Sequence, residues 1–171
     1  LTAVVWNTAS IYWVFNAMNA FLPTIVSLLI ALIPFTLAPF LMAFVFRLYY
    51  EIRKKRSIGI SFISLISLWI GYEFLHQTWD LTFPWMTLGN GFANFHQIVQ
   101  WYSITGVYGG TLWIWIINVI VFLTYWQYKS KAYAVSQKLL IGALALLVIV
   151  PVGISLSQYY NYEEYPNPSE I

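Results

Sequence analysis

The 171-residue chain is 60% hydrophobic, 20% aromatic and only 8% charged, whereas an ordinary soluble domain has about 25% charged residues. This composition excludes a soluble globular domain and indicates a membrane protein whose apolar runs cross the bilayer as helices, because a helix satisfies its own backbone polar groups there. The net charge of +2 gives no indication of a nucleic-acid partner, and the absence of cysteine excludes a disulfide framework, a thiolate metal site and a cysteine nucleophile within this chain.

Apolar segments predict an all-α, polytopic transmembrane bundle of about five spans within residues 1–158. The predicted spans are 1–19, 22–50, 58–76, 107–128 and 139–158. The first is polar for a span, so we expect it to face other helices rather than lipid. The second is longer than a perpendicular span requires, and its internal Pro34 and Pro39 predict a tilted or bent helix.

The basic residues predict the orientation of the bundle. They are concentrated near the connections 53–56 and 129–138, which the positive-inside rule places in the cytoplasm. Five crossings then place the connection 77–106 and the acidic tail 159–171 on the outer side. The chain opens without methionine, and its tail is typical of a linker, so we interpret it as a fragment of a longer protein. The 53–56 cluster is a topology anchor or, alternatively, a contact for anionic lipid.

Glu73 is the only acidic residue inside a predicted span, and a carboxylate at membrane depth is costly unless it is paired or hydrated. If the helix continues past Phe74, His76 follows at i+3 and Asp80 at i+7, so the three side chains would share one face. Such a row could orient a polar substrate, a proton or a loop, or it could be a structural hydrogen-bond network. The two distant histidines do not predict a metal site, and no cofactor is indicated.

The outer connection 77–106 contains the stretch WDLTFPWMTLGNGF. Pro84 cannot continue a helix and restricts Phe83 to extended geometry, so the chain is expected to turn there. Gly89 and its neighbours allow a second turn. The aromatic residues could be an ordinary interfacial belt, but long connections are uncommon and often functional. We therefore favour a re-entrant or interfacial loop that lines a cavity.

Glycines cluster where the fourth span begins. Gly106, Gly109 and Gly110 surround Tyr108, and small residues at this spacing allow helices to approach closely. A lipid chain or the outer loop lying against the same glycine surface is the alternative interpretation.

Three stretches together resemble the apolipoprotein N-acyltransferases over roughly half the chain. They are SIYWVFNA, GYEFLHQTWDLTFPWMTLGNGFA and WYSITGVYGGTLWIWIINVIVF. Members of that family carry a Glu-x-Leu-Arg helix end, a Phe-Pro-Trp loop, a Leu-Gly turn and a Gly-Val-Tyr-Gly helix start in this order. His76 departs from the pattern, because many members have arginine there, and this puts a charge-based role of the position in doubt.

The resemblance implies an eight-helix bundle in the bacterial inner membrane, with a periplasmic nitrilase-like domain inserted between helices seven and eight. The present spans would be helices three to seven, with 77–106 and 159–171 in the periplasm. In that family an acyl chain moves from a phospholipid to a thioester on the enzyme, and then to the amino group of the lipoprotein's diacylglyceryl-cysteine. The Cys, Lys and Glu that catalyse this belong to the nitrilase-like domain, so this chain is expected to contain no catalytic residue and to be inactive alone.

The role that the resemblance leaves to this chain is to hold and admit its two lipid substrates, a phospholipid acyl donor and a diacylglyceryl apolipoprotein. The residues predicted to form the lipid-access rim are Trp79, Phe83, Pro84, Trp85, Gly89, Phe92 and Tyr108. Glu73, His76 and Asp80 are predicted to position that loop on the bundle. The competing interpretation is a non-enzymatic membrane bundle, either a transporter fragment or a lipid-binding scaffold.

Overall fold

The computed structural model describes residues 1–131 and 135–162. Throughout these residues the regular structure is helical, with no strand, and four helices are long and apolar enough to cross a membrane. The predicted all-α membrane bundle is therefore confirmed. Residues 132–134 of the 129–138 connection and 163–171 of the predicted linker lie outside the described residues.

The chain divides into two compact units, Leu1–Thr87 and Leu88–Ile171. The helices of the first unit are α1 (Thr2–Ile11), α2 (Trp13–Asn19), α3 (Thr24–Lys55) and α4 (Ile58–Thr78). The span predicted over 1–19 is thus a pair of consecutive helices, each too short to cross the bilayer alone at about 1.5 Å per residue. Its Asn7 is fully buried, and the amide Nδ2 donates to Ala3 O at 2.8 Å and to Met42 Sδ at 3.2 Å.

α3 is 32 residues long, or about 48 Å, and so exceeds the roughly 30 Å hydrocarbon core. Pro34 and Pro39 lie inside it, and each lacks the N–H that would bond to the carbonyl four residues earlier. The helix ends at its basic cluster, where Arg56 becomes extended. Positive side chains at this end also complement the negative end of the helix dipole.

α4 packs along α3 through small and aromatic residues. Ala31 and Ala38 of α3 are fully buried, and alanine lets a neighbouring helix approach closely. Phe46 contacts Trp69 of α4 edge to face, with ring centroids 5.7 Å apart. This packing holds α4 so that its last three turns carry Trp69, Glu73 and His76 in buried positions.

The second unit contains a 3₁₀ segment (Leu88–Ile98), α5 (Tyr102–Ser130) and α6 (Gln137–Tyr160). α5 is interrupted at Gly106, whose φ of 64° is readily adopted only by glycine. α6 contains Pro151, whose missing N–H leaves the carbonyl of Leu147 without a helical partner. Trp113 of α5 donates its Nε1–H to that carbonyl at 2.6 Å. The carbonyl that Pro151 leaves free in α6 therefore accepts a hydrogen bond from α5.

Candidate functional site

The C-terminal end of α4 carries two buried polar side chains from the predicted set. Glu73 is 2% exposed and His76 is 6% exposed. Trp69, one turn before Glu73, donates its Nε1–H to Glu73 Oε1 at 2.9 Å. This spacing places donor and acceptor on the same helical face. The buried carboxylate of Glu73 therefore accepts a hydrogen bond from the indole N–H of Trp69.

His76 is enclosed by aromatic rings. The rings of Tyr72, Trp79 and Phe83 lie 5.4, 5.4 and 6.4 Å from the imidazole. Trp79 donates its Nε1–H to His76 Nδ1 at 3.1 Å. The His76 carbonyl accepts the backbone N–H of Phe83 at 3.1 Å. His76 is therefore hydrogen-bonded to both the first and the fifth residue after the end of α4.

Asp80 does not continue the Glu73 and His76 row. α4 ends at Thr78, and Trp79 is extended with φ −96° and ψ 174°, so Asp80 lies beyond the helix and is exposed. The expectation of three side chains on one helical face is corrected for this residue. The cause is local, because the turn that gives Trp79 its hydrogen bond with His76 also ends the helix.

The sequence predicts a turn at Pro84, and a short 3₁₀ turn, Pro84–Met86, begins there. Phe83, which precedes it, has φ −143° and ψ 77°. Thr87 ends this turn, and its Oγ1 accepts a hydrogen bond from Gln77 Nε2 at 2.9 Å. The indole of Trp85 is 61% exposed and contacts Trp13 edge to face at 5.5 Å. The first unit therefore presents a large aromatic surface from a loop that is fixed at its base.

A cavity of about 330 Å³ lies in the first unit between α2, α3 and the residues after α4, which is at the small end of the range for ligand pockets. Its apolar wall includes Met18, Ile33 and Leu37. The polar residues His76, Asp80 and Thr82 also line it. The predicted positioning residues His76 and Asp80 thus meet at one cavity, although they do not share a helical face.

In the second unit, Gly89 is bonded through both of its backbone polar groups. Its N–H donates to Thr111 Oγ1 at 3.1 Å, and its carbonyl accepts from Tyr102 Oη at 3.0 Å. A side chain at this position would collide with the carbonyl of Val107, so close approach to α5 requires glycine. Sequence reasoning missed Thr111 and Tyr102, since nothing local in the sequence pairs them with Gly89.

The remaining two predicted rim residues also lie in the second unit. Phe92 packs against Trp113 of α5 with ring centroids 5.3 Å apart, and Tyr108 is half-buried in the first turn after the break at Gly106. A second cavity of about 330 Å³ is lined by Gly89, Phe92 and Tyr102 together with His96. The predicted residues thus belong to two local sites, one in each unit.

Comparisons with known proteins agree with the resemblance noted in the sequence. The family model described as "Apolipoprotein N-acyltransferase N-terminal domain" matches residues 1–120. Proteins named apolipoprotein N-acyltransferase from Chlorobaculum tepidum and Geobacter metallireducens are 30% identical over 82 residues and 32% identical over 104 residues. "Apolipoprotein N-acyltransferase 2" of Treponema denticola is 30% identical over 132 residues.

These matches cover 48%, 58% and 71% of this chain, but only 15%, 20% and 25% of the respective relatives. The matched regions therefore span a quarter or less of the length of each relative. No solved structure shows a significant match.

Proposed function

The chain belongs to the apolipoprotein N-acyltransferase family. From this premise we propose that it is the membrane-embedded part of an enzyme that acylates lipoproteins. The acyl donor would be a phospholipid, and the acceptor the amino group of an N-terminal diacylglyceryl-cysteine. The observation that carries the proposal is the family match over residues 1–120, which includes α4 and the whole outer connection.

The part that this chain contributes is binding and admission of lipid. Both substrates have acyl chains in the outer leaflet, whereas the chemistry takes place at its surface. Moving an acyl chain into water costs about 0.8 kcal/mol per CH₂, so a route floored by apolar helices lowers the barrier to delivery. The apolar wall formed by α2 and α3 and the exposed indole of Trp85 support this role.

The proposed chemistry requires residues outside this sequence. The chain has no cysteine, and a thioester intermediate needs one. We assign the catalytic Cys, Lys and Glu to a nitrilase-like domain of the complete protein, and this chain alone would be inactive. A thioester formed by the donor and consumed by the acceptor predicts ping-pong kinetics.

The proposed location is the bacterial inner membrane. All eight basic residues fall within 47–56 and 129–138, which favours cytoplasmic placement of both connections. The outer connection 77–106 and the tail 159–171 would then face the periplasm, where a lipoprotein's amino group would be accessible after export.

The test uses the complete protein that carries this chain, incubated with phospholipid whose acyl chain is labelled. We expect a hydroxylamine-sensitive label on the protein that moves to a synthetic diacylated lipopeptide when the lipopeptide is added. A well-folded protein that never acquires label would refute the acyltransferase proposal. It would favour a lipid-binding scaffold or a transporter fragment instead.

A further inference from the structure

A groove in the second unit lies between α5 and α6, at the ends that the connection 129–138 joins. The residues that line this α5–α6 groove fall within 121–128 and 137–144, and they enclose about 400 Å³, which is within the range for ligand sites. On each helix they recur every three or four residues and so share one face. Seven residues of helix span about 10 Å, and one leaflet of the hydrocarbon core is about 15 Å deep. The groove therefore has room for much of the length of an acyl chain.

The polarity of the α5–α6 groove changes along its length. Val121 and Leu144 line the end farther from the connection, whereas Tyr128 and Gln137 line the end beside it. Ile141 lies between these ends and is 57% exposed, so the groove is open at its side. Tyrosine is typical of the depth of lipid head groups. An apolar inner end, a polar outer end and an open side are the features that a bound phospholipid requires.

A cation borders the polar end of the α5–α6 groove. The Nζ of Lys129 lies 5.9 Å from the centroid of the Tyr125 ring, and Tyr125 lines the groove. Lys138 directly follows Gln137, the first residue of α6. A positive charge is favourable in the last turn of a helix, where Lys129 lies, but unfavourable in the first turn, where Lys138 lies. The helix dipole therefore gives no reason for Lys138, whereas an anion at this end of the groove would interact favourably with both lysines.

Neither helix supplies a carboxylate for these lysines. The sequence has no aspartate or glutamate between Asp80 and Glu163, a range that includes α5, α6 and their connection. The basic cluster of α3 differs, because Glu51 of the same helix contacts Arg47 at 2.7 Å and Lys54 at 3.3 Å. The counter-ion for the lysines beside the groove must come from outside α5 and α6. The phosphate of a membrane lipid is an anion that is available at this depth.

We propose that an anionic phospholipid of the cytoplasmic leaflet binds in the α5–α6 groove, with one acyl chain along Ile141 and Leu144 and its phosphate beside Lys129 and Lys138. Basic pockets between transmembrane helices on the cytoplasmic side are suited to such head groups. The site goes beyond the proposed function, because the connection 129–138 and the outer connection 77–106 flank opposite ends of α5. It depends on that function only for the cytoplasmic placement of 129–138. The lipid is a bound partner of the fold and undergoes no reaction.

The test is photocrosslinking of the complete protein in nanodiscs of unlabelled phosphatidylcholine. The two probes are phosphatidylglycerol and phosphatidylcholine, each with a diazirine midway along one acyl chain, added at increasing mole fraction. Crosslinks are mapped by mass spectrometry to 121–128 and 137–144. One basic side chain near the head groups favours an anionic lipid by a factor of about five. With two lysines, we expect phosphatidylglycerol to half-saturate labelling of the groove at a mole fraction roughly 20-fold lower than phosphatidylcholine.

Three lysine variants separate a built site from a general attraction to the membrane surface. Lys129 and Lys138 are exposed, so Lys129→Gln and Lys138→Gln should fold and should each reduce the preference for phosphatidylglycerol about fivefold. Lys54→Gln removes the same charge from the other basic connection and should leave the preference unchanged. Equal labelling of the unmodified protein by the two probes would overturn the inference. An equal loss of preference in all three variants would also overturn it, since this would indicate a diffuse surface charge.

A pair of tryptophan variants tests the location. Leu144→Trp fills the α5–α6 groove, whereas Leu146→Trp adds the same side chain at a position of α6 that is 63% exposed and does not line the groove. Labelling of the groove by both probes should fall severalfold in Leu144→Trp only, and equal losses in the two variants would contradict the proposal. If neither probe labels the groove in the unmodified protein, another part of the complete protein covers it, and the inference is wrong. Acyl transfer is measured separately, so its absence would refute the proposed function and leave this lipid site standing.

Discussion

Replacing Gly89 with alanine should weaken the attachment of the 3₁₀ segment Leu88–Ile98 to α5. A Cβ at Gly89 would collide with the carbonyl of Val107, and Val107 Cγ2 would lie 2.8 Å away. A backbone carbonyl cannot rotate away as a flexible side chain can, so the loop must move. We therefore expect Gly89→Ala to be destabilising, although alanine adds only one methyl group.

The magnitude follows from the contacts that the movement breaks. Overpacking a close contact costs typically 1 to 3 kcal/mol. The N–H of Gly89 donates to Thr111, and its carbonyl accepts from Tyr102; losing each bond costs about 0.5 to 1.5 kcal/mol. If the loop moves far enough to break both bonds, the total is about 2 to 6 kcal/mol.

Gly91→Ala is the matched control, since a Cβ there meets no atom within 4 Å. The assay is hydrogen exchange of the amides in residues 88–98 in the complete protein, supported by thermal unfolding in detergent. Exchange in this segment should accelerate by a factor of at least about 30 in Gly89→Ala and remain nearly unchanged in Gly91→Ala. Similar exchange in the two variants would refute the argument that close approach of the loop to α5 requires glycine.

Three further outcomes can be measured on the same protein. Glu73→Leu removes the acceptor of the Trp69 Nε1–H and should lower the free energy of unfolding by about 1 to 3 kcal/mol, whereas Glu73→Gln should retain most of it; equal thermal shifts would contradict this. Gly106→Ala places a side chain at φ 64° and ψ −172°, a backbone conformation almost restricted to glycine, and should cost about 1 to 3 kcal/mol. The site has open space for a Cβ, so an unchanged melting temperature would be inconsistent with this backbone strain. Trp85→Ala should reduce lipopeptide acylation with little loss of stability, while Trp126→Ala, another exposed tryptophan, should leave the rate unchanged.

The sequence predicted the helical class and the family because these depend on properties spread over many residues. Long apolar runs identify membrane helices irrespective of their packing, and four helices among the described residues meet this description. The partner of Glu73 could also have been found, because Trp69 lies four residues earlier on the same helix. Signals of this kind survive in a single sequence because both residues lie on one regular element.

Other contacts were not predictable, since they join residues that are distant in the sequence. Nothing near Gly89 indicates that Thr111 will accept its N–H. The hydrogen bond from Trp113 to the Leu147 carbonyl was predictable only in part. Pro151 indicates that this carbonyl lacks its helical donor, but the sequence does not indicate which residue replaces that donor. The end of α4 could not be predicted, because residues 79–82 contain neither glycine nor proline to mark it. The chain changes direction at Trp79, whose side chain donates a hydrogen bond to His76.

His76 shows how a structure can change the meaning of a departure from a family pattern. Against the arginine of many members, histidine puts a charge-based role in doubt, but the sequence alone does not say what replaces it. The bond from Trp79 makes the imidazole neutral with its proton on Nε2, because an indole nitrogen cannot accept. The position therefore supplies no cation, and its remaining N–H is buried. An arginine at the same position would carry a permanent charge that attracts a phosphate, so the histidine changes the electrostatics of this end of α4.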